Sequence, residues 1–199
     1  MAKRTFDLVL SLAVLAVLVP VFVILAIWIK ADSRGPVLFR QARVGLGGVP
    51  FRILKFRTMR ADAEPRGNLT LGNDSRITRA GHFLRRYKLD ELPQLLNVVV
   101  GEMSLVGPRP EVEDYINFYC PDARRAMLSL RPGVTGPSLW ALFNEGELLS
   151  RSEDPYRTYT SELIPIKGED AMRYAANNSL WVDTKIIFRT LRMVLRGRR

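Results

Sequence analysis

Cysteine and histidine are almost absent from this sequence, which excludes several kinds of site. The single cysteine, Cys120, allows no intrachain disulfide, and the single histidine, His82, cannot supply a zinc-binding cluster. We interpret His82 as structural, because no serine or cysteine nucleophile is arranged around it. The chain fits a reducing compartment, and a metal bound by it would have to be held by oxygen ligands.

Acidic residues are in the minority. The chain has 199 residues and a net charge of +10, from 30 Lys and Arg against 20 Asp and Glu. Its length is enough for one domain and hardly for two. The basic balance suits an anionic partner, which is a nucleic acid, an anionic lipid surface or a phosphorylated substrate. Charge alone does not choose among these three, but no nucleic-acid-binding motif is visible.

Long apolar runs are absent except for one near the N-terminus. Leu8–Ile29 contains no charged residue, and as a straight helix it would be about 33 Å long, enough to cross a bilayer. Pro20 lies near its middle, where it removes a backbone donor and predicts a kink or a break. Basic residues flank the run on both sides: Lys3, Arg4, Lys30 and Arg34. Two interpretations stay open, a kinked transmembrane helix and a re-entrant helix that turns at Pro20 and returns to the same face.

The rest of the chain has the pattern of a small α+β domain that is mostly helical. Val37–Arg40 and Val49–Phe56 have the composition of strands, and the glycine-rich stretch Gly45–Gly48 predicts the hairpin turn between them. Short helices are predicted at Ala80–Lys88, Leu92–Val100, Glu111–Tyr119 and Ala123–Leu130. Loops are predicted at Asp62–Ser75, Gly101–Pro110 and Pro132–Pro137.

The C-terminal stretch Leu180–Arg196 has the clearest helical pattern. Apolar residues fall on one face of it, namely Leu180, Ile187, Leu191 and Val194. Basic residues fall on the opposite face, namely Lys185, Arg189, Arg192 and Arg196. This pattern is typical of a helix in a membrane interface, and an ordinary surface helix over a core has it as well.

Asp90 and Glu91 carry the sharpest chemical signal. They shortly precede Pro93, which is tolerated in the first turn of a helix, so the pair is predicted at a helix start, where backbone N–H groups favour negative charge. An Asp in this place is often a simple helix cap. Basic residues surround the pair, however, as in sites where cations hold phosphate oxygens while carboxylates bind Mg²⁺ or attack phosphorus. They are Lys55, Arg57, Arg76, Arg79, Arg85, Arg86, Lys88 and Arg109, each of which, taken singly, is also explained as a solvated surface charge.

Eight short motifs in order along the chain resemble those of the monotopic polyprenyl-phosphate phosphoglycosyl transferases, also called bacterial sugar transferases. The first four are Lys3-Arg4-x-Phe6-Asp7, Asp32-Ser33-x-Gly35-Pro36-Val37-x-Phe39-x-Gln41-x-Arg43-Val44-Gly45, Phe51-x-x-x-Lys55-Phe56-Arg57-Thr58-Met59, and Arg76-Ile77-Thr78-x-x-Gly81-x-Phe83-Leu84-Arg85. The last four are Leu89-Asp90-Glu91-Leu92-Pro93-Gln94, Met103-Ser104-Leu105-Val106-Gly107-Pro108-Arg109-Pro110, Arg131-Pro132-Gly133-Val134-Thr135-Gly136, and Ser179-Leu180-Trp181-x-Asp183-x-Lys185-Ile186. Together they cover most of the chain, and eight motifs in order are far more specific than one.

The resemblance implies an architecture and a location. Residues 1–30 would form a re-entrant membrane helix broken at Pro20. Residues 31–199 would form a cytoplasmic catalytic domain with a short β-hairpin and with amphipathic helices in the membrane interface. Such a protein is monotopic, lies at the cytoplasmic face of the bacterial inner membrane, and has membrane lipids among its partners.

The resemblance also implies a reaction. Asp90 would be the nucleophile and lie at an Mg²⁺ site, with Glu91 supporting it and helping to handle the acceptor proton. Asp90 would attack the β-phosphate of a UDP-sugar and release UMP, and polyprenyl (undecaprenyl) phosphate would then take the phosphosugar from the enzyme. The residues that would contact phosphate or nucleotide are Lys55, Arg57, Arg76, Arg109 and Arg131.

Two departures from the family pattern bear on these expectations. Val19 stands where the family often has a serine before the helix-breaking proline. The stretch Pro137–Asn144 also differs from the usual sequence after the Thr-Gly pair, so a sugar preference does not carry over from relatives. The alternative function, from another class, is a membrane-tethered protein that binds nucleic acid or anionic lipid without catalysis.

Overall fold

The chain is mostly helical with two small sheets. The computed structural model describes residues 1–60, 74–138 and 145–196, so most of the predicted loop at Asp62–Ser75 and most of the atypical stretch Pro137–Asn144 lie outside the described residues. The helices are α1 Ala2–Asp32, α2 Arg79–Arg86, α3 Gln94–Val100, α4 Glu113–Ile116, α5 Pro121–Leu128, α6 Glu145–Ser150, α7 Pro155–Thr158, α8 Ile164–Asn177 and α9 Leu180–Arg196. The strands are β1 Leu38–Val44, β2 Pro50–Phe56, β3 Ser104–Val106 and β4 Gly133–Thr135. A π-helical turn at Tyr159–Leu163 joins α7 to α8.

The predicted hairpin is present. Strands β1 and β2 pair antiparallel, from Leu38 opposite Phe56 to Val44 opposite Pro50. The turn between them contains Gly47 at φ 67° and Gly48 at φ 82°, backbone conformations that glycine adopts without steric cost. Strand β1 continues past the predicted end at Arg40, because polar residues there still pair with β2 along a half-exposed ladder.

A second sheet joins two segments that were predicted to be loops. Strands β3 and β4 pair in parallel, with Ser104 opposite Gly133 and Val106 opposite Thr135. Each strand has only three residues and is bounded by glycine or proline, so its own sequence is too short to show the alternation of apolar and polar residues that predicts a strand. The loop predictions were therefore wrong at these positions, because only contact between distant segments makes them strands.

The C-terminal helix has the predicted bounds, but only part of its predicted apolar face packs on the core, where Ile187 contacts a cluster of buried apolar side chains. Asp183 and Ile186 are buried, whereas Leu180 and Leu191 of the predicted apolar face are exposed. Further exposed apolar side chains on α9 are Trp181, Phe188 and Leu195. The buried face is chosen by the contacts of Asp183 with other parts of the chain, and hydropathy alone does not reveal them.

Three clusters of buried apolar side chains hold the elements together. The first joins α4, α5, α6 and α8, with Tyr119 and Ile164 among its members. The second joins β2, α3, β3, α8 and α9, and the third joins α1 to β2 and α2 through Ile29, Phe56 and Leu84. Full burial of each large apolar side chain contributes about 1.5–3 kcal/mol relative to exposure. Helix α1 packs on the second cluster with its N-terminal half and on the third with its C-terminal half, so it is part of the fold.

Helix α1 lies along the domain for its whole length. It is the one helix in the described part of the chain that is long and apolar enough, by length and composition, to cross a membrane. The helix continues through Pro20 without interruption, so the predicted break there is not confirmed. One face is buried at Asp7, Leu25 and Ile29, and the other exposes apolar side chains to the surroundings.

Polar contacts fix both ends of α1 to the domain. At the N-terminus, the Lys3 ammonium lies 2.6 Å from Asp183 Oδ2, and the Arg4 guanidinium donates to the carbonyls of Val98 and Val99 at the C-terminal end of α3. That contact also suits the negative end of the α3 dipole. At the other end, Asp32 Oδ2 accepts a hydrogen bond from the Ala80 N–H in the first turn of α2.

We expect Asp183→Asn to lower the free energy of unfolding by about 2 kcal/mol. Asp183 is buried and accepts from both Lys3 and Tyr174, whose hydroxyl lies 2.6 Å from Oδ1. The amide removes the nearest charge that pairs with Lys3, whose ammonium then keeps only the Val106 carbonyl and the more distant Asp7 carboxylate. Chemical unfolding of the full chain in detergent measures the change.

The matched control is Glu169→Gln, which removes an exposed ion pair with Arg173 on α8. Pairs of this kind contribute about 0–0.5 kcal/mol, so this variant is expected to unfold like the parent. Equal effects of the two substitutions would contradict the assignment of Asp183 as an anchor for α1.

Candidate active site

Asp90 and Glu91 occupy a single 3₁₀ turn, Leu89–Glu91, directly before α3. The chain enters this turn through Lys88, whose φ of 54° is unusual for a residue with a side chain and indicates local backbone strain. The two carboxylates are 8% and 7% exposed, respectively. Neither caps α3, since the residue at its N-cap is Pro93 and no side chain bonds there. The helix-cap interpretation is therefore wrong.

Glu91 is held by two cations. Its Oε1 atom lies 3.1 Å from Lys55 Nζ on β2 and 3.1 Å from Arg109 Nη2 in the loop after β3. Burial alone would raise the pKa of Glu91, but Arg109, Lys55 and Lys88 together outweigh it and hold that pKa well below its ordinary value. Glu91 is therefore ionised and fixed in place.

Asp90 has the opposite environment. Its Oδ1 atom is buried and has no hydrogen-bond partner within the described part of the chain. Burial, and after it the charge of Glu91, raise the pKa of Asp90, although Lys55, Lys88 and Arg85 act in the other direction. Two adjacent carboxylates thus have separate chemical characters, one locked in ion pairs and one free to react.

The position of Arg109 is set by close backbone contact between two loops. A Cβ on Gly107 would lie 2.3 Å from the Arg131 carbonyl oxygen, and one on Gly136 would lie 2.2 Å from the Gly107 carbonyl oxygen. Both positions therefore require glycine, and the parallel pairing of β3 with β4 depends on them. A shallow cavity at this junction is lined by Arg109, residues 133–136 and Ser138. The charge of Glu91 raises the pKa of Arg109.

Further basic groups face the pair from α2. Arg85 donates from Nε to Thr58 Oγ1 at 2.9 Å, which fixes its guanidinium beside the turn. Burial lowers the pKa of Arg85 and of Lys88, and in both residues the charges of Asp90 and Glu91 work against that effect. Strand β2, helix α2 and the loop after β3 therefore surround the two carboxylates with positive charge.

Three of the predicted phosphate-binding residues have other contacts. The Arg57 guanidinium bonds to Ser33 and to the Pro36 carbonyl, which ties β2 to the end of α1. Arg76 pairs with the neighbouring Asp74, and Arg131 donates to the Gly101 carbonyl. The structure brings Lys55 and Arg109 to Glu91 but shows no such contact for these three. Their role in binding substrate stays a prediction.

A second polar cluster adjoins the site and was not anticipated from the sequence. Glu111 Oε2 accepts hydrogen bonds from the hydroxyls of Tyr119 at 3.1 Å and Tyr159 at 2.8 Å. Lys167 donates to the Tyr159 hydroxyl at 2.7 Å and lies 3.1 Å from Glu145 Oε2. The one signal for Glu111 is its place directly after the Arg109-Pro110 pair. The sequence around Lys167 gives none, because a buried lysine looks like a surface lysine until its partners are known.

The oxygen set of this site fits Mg²⁺ in part. The described residues contain no group of three His, Cys, Asp or Glu side chains that would enclose a metal. Mg²⁺ is commonly held by one or two carboxylates together with substrate phosphates, so a complete protein cage is not needed. The unpartnered buried oxygen of Asp90 is the atom that suits such a ligand role.

Comparison with known proteins gives one consistent picture. The chain matches the profile of the bacterial sugar transferase family over residues 1–197. It is 41% identical to a UDP-glucose:undecaprenyl-phosphate glucose-1-phosphate transferase of Caulobacter vibrioides, over 97% of this chain and 69% of that protein. It is 37% identical to a UDP-N-acetylgalactosamine-undecaprenyl-phosphate N-acetylgalactosaminephosphotransferase of Aeromonas hydrophila, over 98% of this chain and 44% of that protein. A UDP-galactose-lipid carrier transferase of Erwinia amylovora is 38% identical over 98% of this chain and 40% of its own length, so the chain spans about two fifths of the last two relatives.

Asp90→Asn and Glu91→Gln are expected to change stability in opposite directions at pH 7 in metal-free buffer. The pKa of Asp90 is raised in the folded state, so its ionised form costs folding free energy, which the amide removes. The pKa of Glu91 is lowered, so its ionised form stabilises the fold, and Gln leaves Lys55 and Arg109 unpaired. Chemical unfolding should show a gain of roughly 0.5–2 kcal/mol for Asp90→Asn and a loss of about 3 kcal/mol for Glu91→Gln.

The pH dependence checks the same assignment. The folding free energy that the ionised Asp90 costs is fully present above the raised pKa of Asp90. This cost vanishes as the pH falls to the ordinary pKa of an aspartate, 3.8. The contribution of Glu91 is present above its ordinary value of 4.5 and is lost as the pH falls through its lowered pKa. If Asp90→Asn and Glu91→Gln change the free energy of unfolding in the same direction at pH 7, the two carboxylates do not have the opposite environments described above.

Proposed function

Because the chain belongs to the bacterial sugar transferase family, we propose that it transfers a sugar 1-phosphate from a UDP-sugar to undecaprenyl phosphate and releases UMP. The observation that carries this proposal is the split environment of the two carboxylates. Glu91 is fixed by Lys55 and Arg109, while Asp90 has an unpartnered oxygen among cations. A protein that only binds nucleic acid or lipid has no need of such a pair, so that alternative is set aside.

In the first step, a carboxylate oxygen of Asp90 attacks the β-phosphorus of the UDP-sugar, which is the phosphorus bonded to the sugar. A new O–P bond forms, and the bond between that phosphorus and the bridging oxygen breaks, so that UMP leaves with the electron pair. Asp90 suits this role because no hydrogen bond ties up its Oδ1 atom. The nearby charges of Lys55, Lys88 and Arg85 favour both the ionised carboxylate and the incoming phosphates.

In the second step, a phosphate oxygen of the polyprenyl phosphate attacks the same phosphorus. The bond to Asp90 breaks, the carboxylate is restored, and a polyprenyl diphosphate sugar is released without consumption of water. Glu91 keeps Lys55 and Arg109 in position through both steps. Its predicted part in handling the acceptor proton remains a prediction, since its lowered pKa makes it a weak base.

A divalent cation completes the proposal. When bound, Mg²⁺ neutralises phosphate charge and polarises the phosphorus–oxygen bonds. Asp90 would hold it through one carboxylate oxygen, together with substrate phosphate oxygens, while its other carboxylate oxygen attacks phosphorus. The arginine and lysine residues around the site would share the remaining phosphate charge.

The proposal includes a monotopic arrangement at the cytoplasmic face of the bacterial inner membrane. Apolar side chains exposed on α1 and α9, such as Val23, Ile27, Trp181 and Phe188, support contact with lipid. A straight helix of 31 residues is about 46 Å long, so a membrane-crossing α1 would put its ends on opposite faces. Contacts of both its ends with one domain support the view that α1 enters the membrane and returns. Helix α1 is continuous through Pro20 in this structure, so the proposal is that a turn forms there when the helix enters the membrane, because proline removes one backbone donor at the midpoint.

The test of the reaction is release of UMP on mixing the full chain with a UDP-sugar, polyprenyl phosphate and Mg²⁺. We expect release that depends on both the acceptor and the cation and is abolished by chelation. Asp90→Asn should lose turnover by several orders of magnitude, because it removes the covalent nucleophile, while it stays folded and membrane-bound.

The control for this experiment is Glu169→Gln, an exposed change on α8 that should keep full turnover. Turnover of Asp90→Asn within about threefold of the parent would sink the nucleophile assignment, because the loss of a covalent nucleophile costs far more than that. Full activity after thorough chelation would remove Mg²⁺ from the mechanism.

The topology is tested by cysteine labelling. With Cys120 replaced by serine, Ala2→Cys is expected to resist an impermeant thiol reagent in intact cells and to react after permeabilisation. Arg173→Cys, at an exposed position on α8, marks the side of the catalytic domain and should behave identically. Labelling of Ala2→Cys in intact cells, with Arg173→Cys protected, would mean that α1 crosses the membrane.

A further inference from the structure

Glu145 has a carboxylate that the proposed reaction does not use. It is the first residue of α6, and its side chain is 28% exposed, so part of it reaches solvent. Its Oε2 atom lies 3.1 Å from Lys167 Nζ. Across the described ranges no other group bonds to it, and the second carboxylate oxygen remains available as an acceptor.

Lys167 fixes the direction of this carboxylate. Its side chain is 5% exposed and comes from α8 into the cluster below the site. The ammonium donates to the Tyr159 hydroxyl at 2.7 Å and lies 3.6 Å from Glu111 Oε2, so its position is set by three groups. Burial would raise the pKa of Glu145, but Lys167, Arg109 and Lys88 together lower it, so the carboxylate is ionised. A charged acceptor in a fixed orientation is the result.

The same cluster is joined to the catalytic turn. Arg43 on β1 donates from Nη1 to the Pro110 carbonyl at 3.3 Å, and the Val44 N–H donates to the Glu111 carbonyl at 2.8 Å. These contacts hold the residues that directly follow Arg109, which in turn binds Glu91. The charge of Glu145 also raises the pKa of Arg109, after the larger effect of Glu91. Glu145 is therefore connected through Lys167 and Glu111 to the loop that carries Arg109.

Among the described residues, several carboxylate oxygens at this site already bond to protein groups and are less available to the hydroxyl groups of a sugar. Glu91 is used by Lys55 and Arg109, and Glu111 is used by Tyr119, Tyr159 and its own neighbouring backbone. The basic groups of the site are donors and suit phosphate, so they leave the hydroxyls unmatched. The partly exposed carboxylate of Glu145 provides a further acceptor in a fixed orientation, and a hydroxyl bonded to a charged acceptor makes a strong hydrogen bond.

We infer that Glu145, oriented by Lys167, accepts hydrogen bonds from the sugar hydroxyls of the donor and contributes to its selection. The inference rests on the proposed function, because it takes the donor to be a UDP-sugar. The recognised chemistry is that of a hexose hydroxyl pair next to a diphosphate. The nucleotide itself, which lacks these hydroxyls, gains nothing from Glu145.

The experiment compares binding of UDP-sugars and of UDP to the full chain and to Glu145→Gln. UDP-glucose, UDP-galactose and UDP-N-acetylgalactosamine are titrated in a calorimeter in the presence of Mg²⁺, and the tightest donor is used further. We expect Glu145→Gln to weaken that donor about tenfold or more and to leave UDP within about twofold of the parent. The control Glu147→Gln lies on the same helix, pairs with the exposed Arg151, and should change neither affinity.

Each outcome decides the inference. If Glu145→Gln weakens binding of the donor and of UDP equally, Glu145 contacts the nucleotide or supports the fold. If the affinity for the donor is unchanged, Glu145 does not contact the sugar. Either result would overturn the inference. If no donor binds the parent more tightly than UDP, the sugar gains no contact and the inference also fails. Unchanged thermal unfolding of Glu145→Gln separates a binding effect from a folding defect. UMP release is measured separately. If Glu145→Gln weakens donor binding as expected but the parent releases no UMP, the proposed reaction is rejected and the role of Glu145 in binding the sugar is kept.

Discussion

The ion pairs of Glu91 with Lys55 and Arg109 are the interaction on which the candidate site depends. They join three distant segments, the end of β2, the turn before α3 and the loop after β3, at one carboxylate oxygen. Glu91 binds Lys55 and Arg109, whereas Asp90 beside it is buried with an oxygen that has no partner among the described residues. A buried carboxylate in this condition is costly for folding and useful for chemistry, as expected where stability is given up for reactivity.

The loop that delivers Arg109 depends on small residues and on a sheet of minimal size. Gly107 and Gly136 let two backbones approach more closely than any Cβ allows, and the parallel strands β3 and β4 fix that approach. Arg43 and Val44 of the hairpin then hold the following residues, Pro110 and Glu111. The glycines of these motifs are thus explained by close backbone approach, and the arginine between the prolines by its ion pair with Glu91.

Helix α1 is held to the domain by polar contacts as well as by apolar packing. Lys3 pairs with Asp183 and also donates to the Val106 carbonyl in β3, the strand that precedes the Arg109 loop. Asp7 accepts from the Ser104 hydroxyl at the start of the same strand. The N-terminus of α1 and the loop that carries Arg109 therefore both contact one short strand. The basic residues before the apolar run, which were interpreted as flanks of a membrane segment, have specific partners in the domain.

The sequence by itself determined the family, the hairpin, most helices and the place of Asp90 and Glu91 directly before a helix, because local periodicity, turn residues and ordered motifs are properties of neighbouring residues. The tertiary structure alone decided which carboxylate is locked and which is free, since that depends on Lys55 and Arg109 arriving from other segments. It also decided that Arg57 ties β2 to α1, that Asp183 selects the buried face of α9, and that Lys167 lies buried beside Glu111 and Glu145. Burial and charge pairing are sums over residues far apart in the chain, and a local pattern contains no record of them.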